Sequence, residues 1–89
     1  MDRTITIRIV TENLPYRNRG ATVMKEKDRF VVLLNGDRDD PETVGSFVHE
    51  MLHIYHGDFE SGLPVDQIEA TRHRETLEIM EILSKRKDS

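Results

Sequence analysis

His49-Glu50-Met51-Leu52-His53 sets two imidazoles four residues apart in an 89-residue chain. On an α-helix that spacing brings both rings to one side, a turn apart, so they can grip a single ion. Glu50 follows the first histidine, which lets it address a water on the metal instead of the metal itself. Zinc lowers the pKa of its bound water toward neutrality, and a neighbouring carboxylate then takes the proton as the water attacks a carbonyl. This chemistry assigns His49 and His53 as ligands of Zn2+ and Glu50 as general base. The alternative is two surface histidines that share a helix side by accident. The context favours the metal, because the motif sits in an amphipathic segment whose flanking Val48 and Ile54 can pack the helix down.

A catalytic zinc needs a third protein ligand and one open position. The second predicted helix offers Asp66, Glu69, His73 and Glu75. Glu69 and His73 are four apart and share a face. Either Glu69 ligates with His73 behind it, or His73 ligates while Glu69 orients a histidine. Glu69 is preferred, and both arrangements stay open. His56 lies seven residues after His49, two helical turns or about 10 Å along the axis. One ion cannot take all three histidines unless the helix breaks after His53. His56 is therefore expected to face solvent at the helix end, with oxyanion stabilisation or proton donation as its other possible role. Arg17 and Arg19 are further oxyanion candidates. Asp58 can either hold a histidine nitrogen or cap the next segment.

The elements that must position these groups are legible as patterns. Thr4 to Val10 alternates, with Ile5, Ile7 and Ile9 on one strand face, and β-branched residues dominate it. Residues 11 to 19 read as a loop with Asn13, Pro15 and Asn18. Gly20 to Met24 is a second strand, followed by a turn over 25 to 28. Arg29 to Asn35 is nearly continuously apolar, which predicts a strand buried on both faces or central in its sheet. Asp40-Pro41-Glu42 is a helix start with Asp as N-cap and Pro at the first position. The first helix then runs to Tyr55 or His56, stopped by Gly57, with Val44, Phe47, Val48, Met51, Leu52 and Tyr55 as its apolar face. A second helix runs from Val65 to Lys85, with Ile68, Leu77, Ile79, Met80, Ile82 and Leu83 on its apolar side. The fold expected is α+β: a small, mainly three-stranded sheet packed on two helices, in one domain over 1–89.

Composition bounds the function classes. Hydrophobic residues are 36% and charged residues 34%, polar for a globular domain but patterned enough to fold. The net charge of -4 supplies no basic footprint for nucleic acid, which sets aside direct DNA contact. Lys85-Arg86-Lys87 reads as a charge complement to a helix end. There are no cysteines, so any zinc site must use His and carboxylate ligands. No signal peptide or membrane-spanning run is evident, and a cytoplasmic protein is expected.

The run Phe47 to Ile54, preceded by a strand ending Leu33-Leu34-Asn35 and followed by Ile68-Glu69-Ala70, resembles the ImmA/IrrE-type metallopeptidases. The resemblance covers roughly residues 29 to 75. It implies a minimal zincin-like domain, a sheet on an active-site helix with a second helix supplying the third ligand. That ligand is then Glu69. It also implies that the substrate is a peptide or protein, with a transcriptional repressor among the candidates. The expected function is zinc-dependent hydrolysis of a peptide bond. The alternative is a non-catalytic, metal-stabilised protein-interaction module from a mobile element or regulatory system. A closed four-ligand site using both Glu69 and His73 would mark that alternative.

Overall fold

The computed structural model describes residues 4–13, 19–37 and 40–87. Three strands precede two helices: β1 (Thr6–Glu12), β2 (Gly20–Glu26), β3 (Arg29–Asn35), α1 (Pro41–Tyr55) and α2 (Val65–Lys87), with a 3-10 turn at Asp58–Glu60 between the helices. β3 is central, with β1 parallel to it on one side and β2 antiparallel on the other. The architecture is α+β, as the run of strands followed by helices implies. It is also layered: α1 packs on β2 and β3, and α2 packs on α1. The second helix thus covers the first rather than the sheet.

The strand pattern explains the core. Phe30, Val32 and Leu34 alternate onto one side of β3 and are 8%, 0% and 5% exposed. Ile54 of α1 joins them, with Ile7, Phe47 and Met51 packed around. Phe47, Met51 and Ile54 recur at i, i+4 and i+7, so they form one helix stripe. Tyr55, expected on that stripe, lies a further step around the helix and is 82% exposed. Of the two alternatives expected for β3, burial on both faces or a central place, the central place is the one found. Leu33 points to the other side and is 40% exposed, because α1 covers a single face. The apolar run of β3 reflects its central place instead.

The connections are built for close approach. Asp40 accepts a hydrogen bond from Glu42 N at 3.0 Å, and Pro41 begins α1. Gly36 carries the chain from β3 toward α1 with φ 141, and a Cβ there would run into the Thr43 hydroxyl. Only glycine suits both demands. Gly57, with φ 67, ends the first helix as expected. The predicted loop over 11–19 is partly strand, since β1 extends to Glu12, and its residues 14–18, Arg17 included, lie outside the described residues. Residues 38 and 39, between β3 and α1, also lie outside the described residues. α2 departs from its expected apolar side: Ile68 is buried, but Leu77, Ile82 and Leu83 are 57%, 57% and 40% exposed. At 23 residues against 15, α2 is longer than α1 by roughly 12 Å at the α-helical rise per residue, so α1 cannot cover it all.

Candidate metal centre

α1 turns a second stripe, Ser46, His49, Glu50 and His53, into a groove of about 830 Å³. Gly20 and Thr22 of β2 form one wall, and Ile68, Glu69 and Leu77 of α2 stand on the opposite one. Volumes of this order are typical of ligand sites. The helical period that sends Phe47, Met51 and Ile54 to the sheet is what leaves the chemical residues facing the groove.

Three ligand atoms meet there. His49 Nε2 lies 3.0 Å from Glu69 Oε2 and 3.1 Å from His53 Nε2. His53 Nε2 lies 3.1 Å from Glu69 Oε1. His49, His53 and Glu69 are close enough to bind one metal ion. With zinc–nitrogen and zinc–oxygen bonds near 2.0–2.1 Å, the edge of a tetrahedron is about 3.3 Å, close to these separations.

The outer hydrogen bonds of the two rings bear on where their lone pairs point. His53 Nδ1 is 2.8 Å from Asp58 Oδ2. A carboxylate can only accept, so Nδ1 is the donor in this contact, and in a neutral ring Nε2 is then the nitrogen with the free lone pair. Thr76 Oγ1 donates to the Arg72 carbonyl at 2.7 Å. Its hydroxyl proton is spent, so toward His49 Nδ1, 3.4 Å away, it can only accept. With both rings neutral and protonated on Nδ1, both Nε2 lone pairs and the Glu69 carboxylate face the same point. Three acceptors at such separations repel one another, and either a metal cation or a proton shared with Glu69 relieves that repulsion. The residues present fit a zinc ion, which needs deprotonated ligands of this kind.

Glu50 stands on the same groove wall, half-buried, and accepts a hydrogen bond from Thr22 Oγ1 at 2.8 Å on its Oε1. His73 also lines the groove, but it is exposed and lies outside the ligand cluster found among the described residues. Asp66 is likewise outside that cluster, and Glu75 instead joins Arg72 and His56. His56 Nε2 is 3.2 Å from Glu75 Oε2 and does not line the groove. Arg19 reaches the groove but is held by Glu42 and, at 3.9 Å, by Asp40. Of the two roles open to Asp58, the structure shows it holding the histidine nitrogen.

Sequence reasoning missed three contributors: Thr22, Arg72 and Thr76. Thr76 sits seven residues after Glu69, two turns along the same helix face, and that spacing was the available signal. Arg72 and Thr22 carry no local signal, because their partners come from the 3-10 turn and from a different layer.

Arg72 grips Asp58 through Nε to Oδ2 at 2.8 Å and Nη2 to Oδ1 at 3.3 Å, and it also pairs with Glu75. Burial works against ionising Asp58, but hydrogen bonds from Arg72 and His53 and the charge of Arg72 together outweigh it and hold the carboxyl below its ordinary 3.8. Glu75 is held below its ordinary 4.5 in the same way, burial opposing and Arg72 prevailing. Groups with lowered pKa add stability above their unfolded values and lose it as pH falls toward the folded ones. The urea midpoint, followed by circular dichroism, is thus expected to fall as the pH drops through and below the ordinary values of 4.5 and 3.8, and to fall less in Arg72→Met. An equal fall in the variant would remove this network as a source of the acid sensitivity.

Comparison with known proteins found no family model, curated sequence or solved structure that matches the chain. Among the described residues, no helix is long and apolar enough to cross a membrane.

Proposed function

We propose that this protein is a zinc-dependent peptidase of the cytoplasm, with His49, His53 and Glu69 holding the metal and Glu50 as general base. The observation that carries the reading is the convergence of two imidazole nitrogens and a carboxylate in a groove that Glu50 also lines. When bound, zinc supplies a water acidic enough to ionise near neutral pH and polarises the carbonyl under attack. Glu50 takes the proton of the attacking water on Oε2, since Oε1 is already engaged by Thr22. It then returns that proton to the departing amine.

β2 is an edge strand, and Gly20 and Thr22 border the groove. An extended peptide can add to this edge by main-chain hydrogen bonds and lie across the site. Val65, Leu77 and Met80 on the facing helix offer apolar surface to its side chains. The substrate class is a polypeptide in extended form, and the resemblance noted above makes a regulatory protein such as a transcriptional repressor the first candidate. The position of His73 outside the ligand cluster supports catalysis over a closed four-ligand staple, because it leaves a coordination position for water.

The test is to incubate the zinc-loaded protein with a pool of unstructured peptides and follow products by mass spectrometry. Cleavage that stops with a chelator and returns with zinc is expected. Intact peptides after prolonged incubation with fully loaded protein would overturn the reading.

A further inference from the structure

The geometry points to Arg72 as a positioning residue for the metal centre: its two-point grip on Asp58 fixes which nitrogen of His53 carries the proton, and so keeps Nε2 free for the metal. The inference rests on the metal-binding reading of His49, His53 and Glu69 and does not depend on peptide hydrolysis.

Asp58 belongs to a three-residue 3-10 turn that follows Gly57 in the left-handed region. So short a turn holds few backbone hydrogen bonds of its own, and something else must aim its side chain. Arg72, from the middle of α2, does so with two donors to the two carboxylate oxygens. A planar guanidinium fixes both the position and the plane of a carboxylate, which a point charge does not. Its side chain is only 10% exposed and that of Asp58 7%, so water does not compete strongly for the pair. The far side of the guanidinium is anchored in turn by Glu75, which His56 holds by a further contact.

The consequence falls on Oδ2, which receives both Arg72 Nε and His53 Nδ1, each at 2.8 Å. With that oxygen in place, the proton of a neutral His53 belongs on Nδ1. The other tautomer would set the Nδ1 lone pair against a carboxylate oxygen. Without the grip, the turn can carry Oδ2 away. His53 is then free to carry its proton on Nε2 and donate it to Glu69 Oε1, 3.1 Å away, in the place a metal would take. His49 provides an internal control, since Thr76 rather than Asp58 holds its Nδ1.

The experiment reads the tautomers in the metal-free protein at pH 8 by two-bond proton–nitrogen correlation of the imidazoles, and Zn2+ affinity by competition with a chromophoric chelator. In the wild type, His53 is expected as the Nδ1–H form. In Arg72→Met, a substantial Nε2–H population is expected at His53 and not at His49. Zinc affinity should weaken about 10- to 100-fold, the usual consequence of losing a group that orients a ligand. Arg72→Lys, which keeps the charge and loses the fork, should shift in the same direction and serves if Arg72→Met does not fold. A folded Arg72 variant with His53 still in the Nδ1–H form and unchanged zinc affinity would overturn the proposal. So would a wild-type His53 found as Nε2–H. If the wild type bound no zinc, the metal reading itself would fail, while the tautomer spectra would still report on Arg72.

Discussion

Glu50→Gln is expected to keep its zinc and to lose peptide hydrolysis by about 10²- to 10⁴-fold, the usual contribution of a positioned general base. Glutamine has the shape of glutamate, and its amide oxygen can still accept from Thr22, which donates to Oε1 in the native protein. The groove wall therefore stays in place. What is lost is a site that can take a proton. The three ligand atoms belong to other residues, so metal content measured by mass spectrometry should match the wild type. Loss of zinc in Glu50→Gln would move Glu50 into the coordination sphere. Undiminished turnover would place the base elsewhere.

The second large effect is on stability. Zinc is expected to raise the thermal midpoint steeply, because the site ties α1 to α2 in a chain whose buried apolar core among the described residues is small: Phe30, Val32, Leu34, Ile54 and Ile68. Free zinc at a thousandfold excess over its dissociation constant adds about 4 kcal/mol to the native state. For a domain of this size that corresponds to a rise of roughly 15–30 °C. His49→Ala and Glu69→Ala should both abolish the rise, and Glu69→Ala should change the metal-free protein little, since its side chain is 54% exposed. His73→Ala should leave the rise intact. A scanning calorimetry series in which His73→Ala loses the zinc response and Glu69→Ala retains it would reassign the third ligand.

How much of this could be read in the sequence depended on whether the signal was local. The strands, both helices, the Asp40 cap and the Gly57 stop rest on short-range periodicity and turn chemistry, and each lies within a few residues of its expected place. The pairing of His49 with His53 was equally local. Layering was not. Nothing in the alternation of β3 said that α2 would pack on α1 and, among the described residues, leave one sheet face open. The apolar tail of α2 misled for a related reason, since burial depends on the length of the neighbouring helix. Between Glu69 and His73 the sequence could state the choice, because both share a helix face. Deciding between them required the angle at which α2 crosses α1, which no local pattern encodes. Arg72 illustrates the limit best: an arginine among six charged or polar residues reads as solvated until the 3-10 turn brings Asp58 to it.

The outer edge of β2 has a consequence for how the protein behaves in concentrated solution. An exposed strand edge is a template for pairing with any other strand, including that of a second copy. Toward its far end this edge is blunted by a bulge between Met24 and Glu26 and by the charges of Lys25 and Glu26. The stretch from Gly20 to Val23 has neither protection, and it is the stretch beside the groove. An edge left sticky enough to capture a passing chain is sticky toward its own kind as well. Self-association through this stretch would shut the groove, so crowding and closure of the groove become the same event.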